Sequence, residues 1–535
     1  MRKFRMLLAL CVALSLSCAS AFAAPSAADL ASGGFAAKDW AAFGVRDVKA
    51  IADSKNPVIA KMIKDQLSAA SVPAETALHS LDVRVELKVT EDGGVLPGAI
   101  ALAGELLRPL TEAEIATMSL AKTDVAVNAP EGMKLNVLGT IETEEVGKLI
   151  IAVLERDGKQ YLVGATTAEV LGAVAAAPEG NKEVRDYTSS NIWIQGSVSA
   201  EVMEAMGAPA ALPFIAELGI QDTEKSVCLR LWTNVVDHMS AAAGKDLRAA
   251  MTGGFATKKP LLMGNGPLMA LFNMAMSYVP EQLKVEDVVA DEASRAMVSG
   301  TVEGLSELGA SWADVINILR NNVTIGVAGN LTTPFGKFPG LYLHVGGVSE
   351  ALGKMLVQMA AASGEEMLGA APAPFTNGTW SGVQVASPVA LFIASGAEGF
   401  IAGAMDMDQF GTVPTVVPEI SAVAEAPTCL SLAVNVKDLL PVLRNLNETV
   451  VPMMEDDEVT FMSMMALGVL EYFNAATVEM KTADMLSVEL FLNAENMAKL
   501  LAGEEAEEAP AAEPAPAPAP EAPAAEPAPA PAPAA

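Results

Sequence analysis

The chain contains a pattern that returns once, at a spacing of about 240 residues. Pro97-Gly98-Ala99-Ile100-Ala101-Leu102-Ala103-Gly104 recurs as Pro339-Gly340-Leu341-Tyr342-Leu343-His344-Val345-Gly346. Asp82–Leu87 lines up with Asn322–Val327, Tyr161–Ala165 with Phe400–Ala404, and Ile192–Val198 with Leu430–Val436. Arg46–Ala50 lines up with Glu286–Ala290, and Leu229–Asn234 with Val488–Asn493 after a drift of about twenty residues. A period this long is not a solenoid of short units but two copies of one whole domain. The drift places extra residues in the second copy between Val450 and Tyr472, around the acidic run Glu455–Glu458 and the Met-rich Phe461–Met465.

Periodicity sets the fold class. Val83, Val85 and Leu87 alternate with Arg84, Glu86 and Lys88, the pattern of a strand with one dry and one wet face. Glu155-Arg156-Asp157-Gly158-Lys159 is a hairpin turn. Strands run into polar residues that cap helices: Ser197 and Ser199, Ser349, Asn435 and Asn493. The expected architecture is α+β, in two tandem copies of a mainly antiparallel sheet with helices packed on one face. The frequent hairpins argue against a parallel nucleotide-binding sheet, and no phosphate loop follows the first strand.

The expected segments are a signal peptide at 1–23, an N-terminal segment at 24–45, repeat 1 at 46–284, repeat 2 at 285–502 and an Ala/Pro/Glu tail at 503–535. Arg2, Lys3 and Arg5, the apolar run to Leu16 and Ala21-Phe22-Ala23 carry the leader reading. Lipidation at Cys18 is the alternative, but Ser15 stands where a lipoprotein signal carries Leu. The tail has ten prolines and reads as an extended tether. Leu261–Val279 is uncharged and broken by Gly264-Asn265-Gly266-Pro267, and is expected to form a short strand, a turn and a buried junction helix. Ala386–Met405 is expected to be a hairpin of buried strands, so no transmembrane span is expected.

The net charge of −31 repels nucleic acid and anionic lipid surfaces. Cys228 and Cys429 are expected to be buried free thiols. His79, His238 and His344 have no second His or Cys at ligand spacing. Gly309–Ala313 fails the nucleophile-elbow pattern at its last position. Ser119-Leu120-Ala121-Lys122 matches a short penicillin-enzyme motif without its partner motifs. Asp406–Gly411 begins like a calcium loop, but Phe410 cannot ligate and Val417 stands where the bidentate acid belongs. Gly264-Asn265-Gly266 could face an anion from a helix start but lacks the phosphate-loop Lys. Sequons stand at Asn322, Asn330, Asn377 and Asn447. The methionines around Met462 are expected in the core, although Met also suits adaptable binding surfaces.

The strand–helix order over residues 46–502 resembles families of exported bacterial proteins built from duplicated α+β domains, a resemblance that carries no activity and no site residues. No catalytic, cofactor or metal residue is singled out. The expectation is a non-catalytic cell-envelope protein that binds or scaffolds a protein, peptide or polymer. A periplasmic carrier with an apolar ligand between sheet and helices is the alternative, and a hydrolase assembled across the copies is third.

Overall fold

The computed structural model describes residues 26–33, 39–57, 77–89, 95–143, 147–177, 188–205, 211–244, 246–251, 257–282, 310–334, 336–368, 370–385, 389–449 and 457–499, with a few short pieces between. The leader at 1–23 and the tail at 503–535 lie outside the described residues, as do Glu286–Ala290.

Among the described residues, nineteen strands form one antiparallel sheet, and two more form a separate hairpin. In chain order they are β1 (Trp40–Val45), β2 (Leu78–Val89), β3 (Val95–Leu106), β4 (Lys134–Thr143), β5 (Gly147–Arg156), β6 (Lys159–Ala165), β7 (Ile192–Val198), β8 (Phe214–Asp222), β9 (Ser226–Thr233), β10 (Leu268–Met274) and β11 (Val323–Ala328). There follow the hairpin β12 (Leu331–Thr333) and β13 (Gly336–Phe338), then β14 (Leu341–Val345), β15 (Ala373–Asn377), β16 (Trp380–Val385), β17 (Leu391–Gly396), β18 (Gly399–Ala404), β19 (Leu430–Val434), β20 (Phe473–Thr482) and β21 (Met485–Leu492). The pairings place the main strands in the spatial order β4-β5-β6-β3-β2-β1-β7-β8-β9-β21-β20-β19-β10-β11-β14-β18-β17-β16-β15. Each neighbouring pair in that order is antiparallel, so the α+β reading holds and the parallel alternative does not.

Local chemistry explains the turns and caps. The β5–β6 hairpin turns at Asp157 and Gly158, both with positive φ (53° and 77°), the conformation its Asp-Gly pair favours. Four side chains accept from the first turn of the following helix: Ser199 from Val202 N, Ser349 from Leu352 N, Asn435 from Asp438 N and Asn493 from Asn496 N.

Helices cover both faces of the sheet, not one. Helices Ala27–Gly33 and Ala168–Ala176 bury Leu30, Leu171 and Val174 against Ala101, Ala103 and Val163. Helix Val48–Ala52 buries Val48 and Ile51 against Val83, Val85 and Leu102 on the opposite face. The cause is written in β3 and β5. Ile100–Ala103 and Leu149–Leu154 are unbroken apolar runs, and successive strand residues point to opposite faces, so both faces must be covered.

Two further expectations are corrected. Leu268–Met274 is strand β10, not the junction helix; it sits between β11 and β19, as β1 sits between β2 and β7. A short apolar run has no periodicity to separate strand from helix, and pairing on both edges decided it. Arg84, read as solvent-facing, is buried. Its guanidinium lies 3.8 Å from the Trp40 ring centroid, and Trp40 packs with Ala42, Trp193 and Ala28.

Candidate functional site

An apolar hollow lies between helix Glu350–Leu368 and the far end of the sheet. It is a cavity of about 540 Å³, within the range of small-molecule pockets. Helix Glu350–Leu368 packs on β16, β17 and β18. It starts where Ser349 caps it and carries no proline. Toward the sheet it presents Ala360, Ser363 and Gly364, which share one helical face. Beneath lie Ala402, Gly403 and Ala404 of β18. Small residues on both walls leave the space that larger ones would fill.

The floor is one face of the sheet. Ile393, Ala402, Leu343, Ile325, Phe272 and Leu432 follow one another as direct cross-strand partners from β17 to β19. Exposure grades along the lining. Val385 is buried at 5%, whereas Ile325, Leu341 and Leu343 are 40%, 50% and 36% exposed. The hollow is therefore closed under the helix and open at β14 and β11. Among the described residues, no charged side chain lines it. The opposite face of the same strands is packed solid by Tyr342, Phe392, Ile401, Trp380 and Phe410. There the Tyr342 hydroxyl donates to Leu261 O (3.0 Å) and accepts from Met263 N (3.3 Å). Its ring fills the space beside Gly326, where an added Cβ would lie 2.2 Å from the ring.

A second hollow, of about 650 Å³, is polar and lined by Lys258, Asn317, Asn321, Asn322 and His344 among others. Its amides are largely spent on one another and on backbone. Asn321 Nδ2 donates to Asn317 O (2.7 Å), Asn317 Nδ2 to Gly347 O (2.5 Å) and Asn322 Nδ2 to Lys258 O. The arrangement is a structural brace at the ends of β11 and β14.

The remaining motif residues do not converge. His344 pairs through Nε2 with Glu398 O (3.1 Å), and burial holds its pKa below the ordinary value. His238 meets Pro213 O (3.2 Å), and His79 lies on β2 with its pKa lowered by burial. Ser119 and Lys122 sit on a loop after helix Glu112–Thr117, both exposed. Asp406 accepts from Thr332 N and Oγ1 (both 2.8 Å), so this stretch ties β18 to the small hairpin. Gly264 and Gly266 turn with φ of 119° and 92° into β10, so no helix start stands there to face an anion. Asn322 is buried, and Asn377 donates to Phe410 O (3.0 Å). Cys228 and Cys429 are free; Cys228 is half-buried, and burial pushes the Cys429 thiol up to about 11. Among the described residues, no group of three or more His, Cys, Asp or Glu is placed to hold a metal ion, and no helix is long and apolar enough to cross a membrane.

The methionines expected in the core are on the surface. Helix Asp457–Leu470 leaves Met462, Met464, Met465 and Val469 at least 55% exposed. The cavity residues themselves were not singled out from the sequence. The available signal was small residues on two elements, Ala402-Gly403-Ala404 and Ala360 with Ser363-Gly364, which becomes a slot only when those elements face each other.

No family model matches the chain, and no curated protein or solved structure matches it either.

Proposed function

We propose that this is an exported, non-catalytic binding protein that holds an apolar small molecule in the cavity under helix Glu350–Leu368. The observation that carries the reading is the cavity: about 540 Å³, lined without charge among the described residues, closed under the helix and open at β14 and β11. Burying apolar surface there stabilises a complex by roughly 25 cal/mol per Å² before the costs of association.

In this reading the chain is two copies of one sheet unit, with nine strands in the first and ten in the second. The pairing order supports it. β1, β2, β3, β6 and β7 have their neighbours in the same order as β10, β11, β14, β18 and β19. The copies meet where β9 pairs with its counterpart β21, the self-complementary contact of a twofold arrangement. The second copy then begins before Leu268 rather than at 285, and helix Asp457–Leu470 is its addition. The copies differ where it matters. In the first, the matching face (Leu102, Val83, Phe43) is filled by Val48, Ile51, Ile59 and neighbouring Met118 and Leu120. In the second it is hollow.

The test is mass spectrometry of organic extracts of the purified full chain, with titration of the fluorescent probe N-phenyl-1-naphthylamine. A bound apolar compound and saturable probe fluorescence are expected. Clean extracts with no probe binding would overturn the reading. A second reading, a scaffold for an envelope protein or peptide, is favoured by the exposed methionines of helix Asp457–Leu470, since Met side chains adapt to partner surfaces.

A further inference from the structure

The shape of the cavity selects among apolar ligands. Resting on the apolar-ligand reading, we propose that the occupant is one unbranched hydrocarbon chain, the acyl tail of a lipid. It threads between helix Glu350–Leu368 and the sheet, with its end at Val383 and Val385 and its polar group emerging past Ile325.

Length is the first reason. The lining runs across β16, β17, β18, β14 and β11 in spatial order. Four strand spacings of ~4.8 Å make a slot of roughly 19 Å. A lipid chain occupies one leaflet, about half of a ~30 Å hydrocarbon core, or about 15 Å. One chain therefore fits within the slot.

Width is the second. The roof offers Ala360 and Gly364, and the floor Ala402, Gly403 and Ala404. Pro372 stands against Gly364, where an added Cβ would be 2.3 Å from the proline ring. A slot between small residues, walled by proline and roofed by a helix, admits a thin flexible chain. A protein surface, including a second copy of this chain, cannot enter beneath the helix.

Polarity is the third. The inner end is buried at Val385, while the outer end opens at Ile325 and Leu341. Beyond Ile325 the apolar row continues in register through Phe272 to Leu432, itself 37% exposed, so a longer chain keeps apolar contact outside the slot. The strongly acidic chain favours a lipid whose polar group stays in water over one held by a charged clamp.

The experiment displaces N-phenyl-1-naphthylamine from the full chain with straight-chain fatty acids from hexanoate to stearate. Affinity is expected to rise about fourfold with each methylene buried in the slot. Ala402→Phe, which fills the floor, is expected to flatten that rise. Ile325→Asn, at the exposed mouth and tolerable to folding, is expected to weaken every chain that reaches it. Probe binding with displacement independent of chain length would overturn the acyl-chain proposal and leave the apolar-ligand reading standing. So would a sterol competing as well as stearate, or an unchanged length profile in folded Ala402→Phe. Absence of probe binding would overturn both.

Discussion

Asp82 is a buried carboxylate whose titration can be read in the stability of the whole chain. It lies on β2 at 1% exposure, and neither carboxylate oxygen has a hydrogen-bond partner among the described residues. Burial raises its pKa from 3.8 to about 7; Arg84 opposes the shift, and Asp29 adds to it. Between those two values the folded chain keeps a proton that the unfolded chain has released. Stability therefore falls as pH rises through that window, by about 1.4 kcal/mol per pH unit. Between about pH 5 and pH 8 only the part below about 7 contributes, which amounts to about 3 kcal/mol. Asp82→Asn removes the titration while keeping the side-chain shape. The assay is urea unfolding of both proteins at the two pH values. The wild-type chain should lose about 3 kcal/mol relative to the variant. His79 and His344, whose pKa values are lowered, contribute stability that is lost as pH falls below the ordinary histidine value. Both are present in each protein, so they cancel in the comparison. Parallel pH profiles for the two proteins would refute the assignment of a proton to Asp82 in the folded state.

The packing sets further outcomes. Tyr342→Phe removes a hydroxyl that joins Leu261 and Met263, and should cost about 1–2 kcal/mol in denaturant unfolding. Gly326→Ala, which drives a methyl into that ring, should cost more than Tyr342→Phe in the same assay. Native alkylation should modify half-buried Cys228 well before Cys429, whose thiol burial keeps protonated; equal rates, read by mass spectrometry, would contradict the placement.

Much of the local structure was legible because it depends on neighbours in sequence. Asp157-Gly158 encodes its hairpin by backbone preference, and Ser199, Ser349, Asn435 and Asn493 cap the helices that follow them. The hairpin at Ala386–Met405 is β17 and β18, turning at the Gly-containing stretch between them. Where a reading depended on distant contacts it failed. Leu268–Met274 has the composition of either element, and became a strand because β11 and β19 present free edges on both sides. Arg84 alternates as a wet-face residue, yet Trp40, brought beside it by the β1–β2 pairing, covers it. The methionines of helix Asp457–Leu470 read as core and are exposed, on a helix that packs against helix Val436–Thr449.

The sequence by itself determined the hairpin turns, the helix caps, the antiparallel connections and the acidic character of this chain, since alternation, turn chemistry and charge act over a few residues. Tertiary structure alone decided which apolar surface stays open. Ala360, Gly364 and Ala402 are ordinary residues in the sequence. They make a slot because helix Glu350–Leu368 crosses β18, and a void is a property of two surfaces that meet, not of either sequence alone.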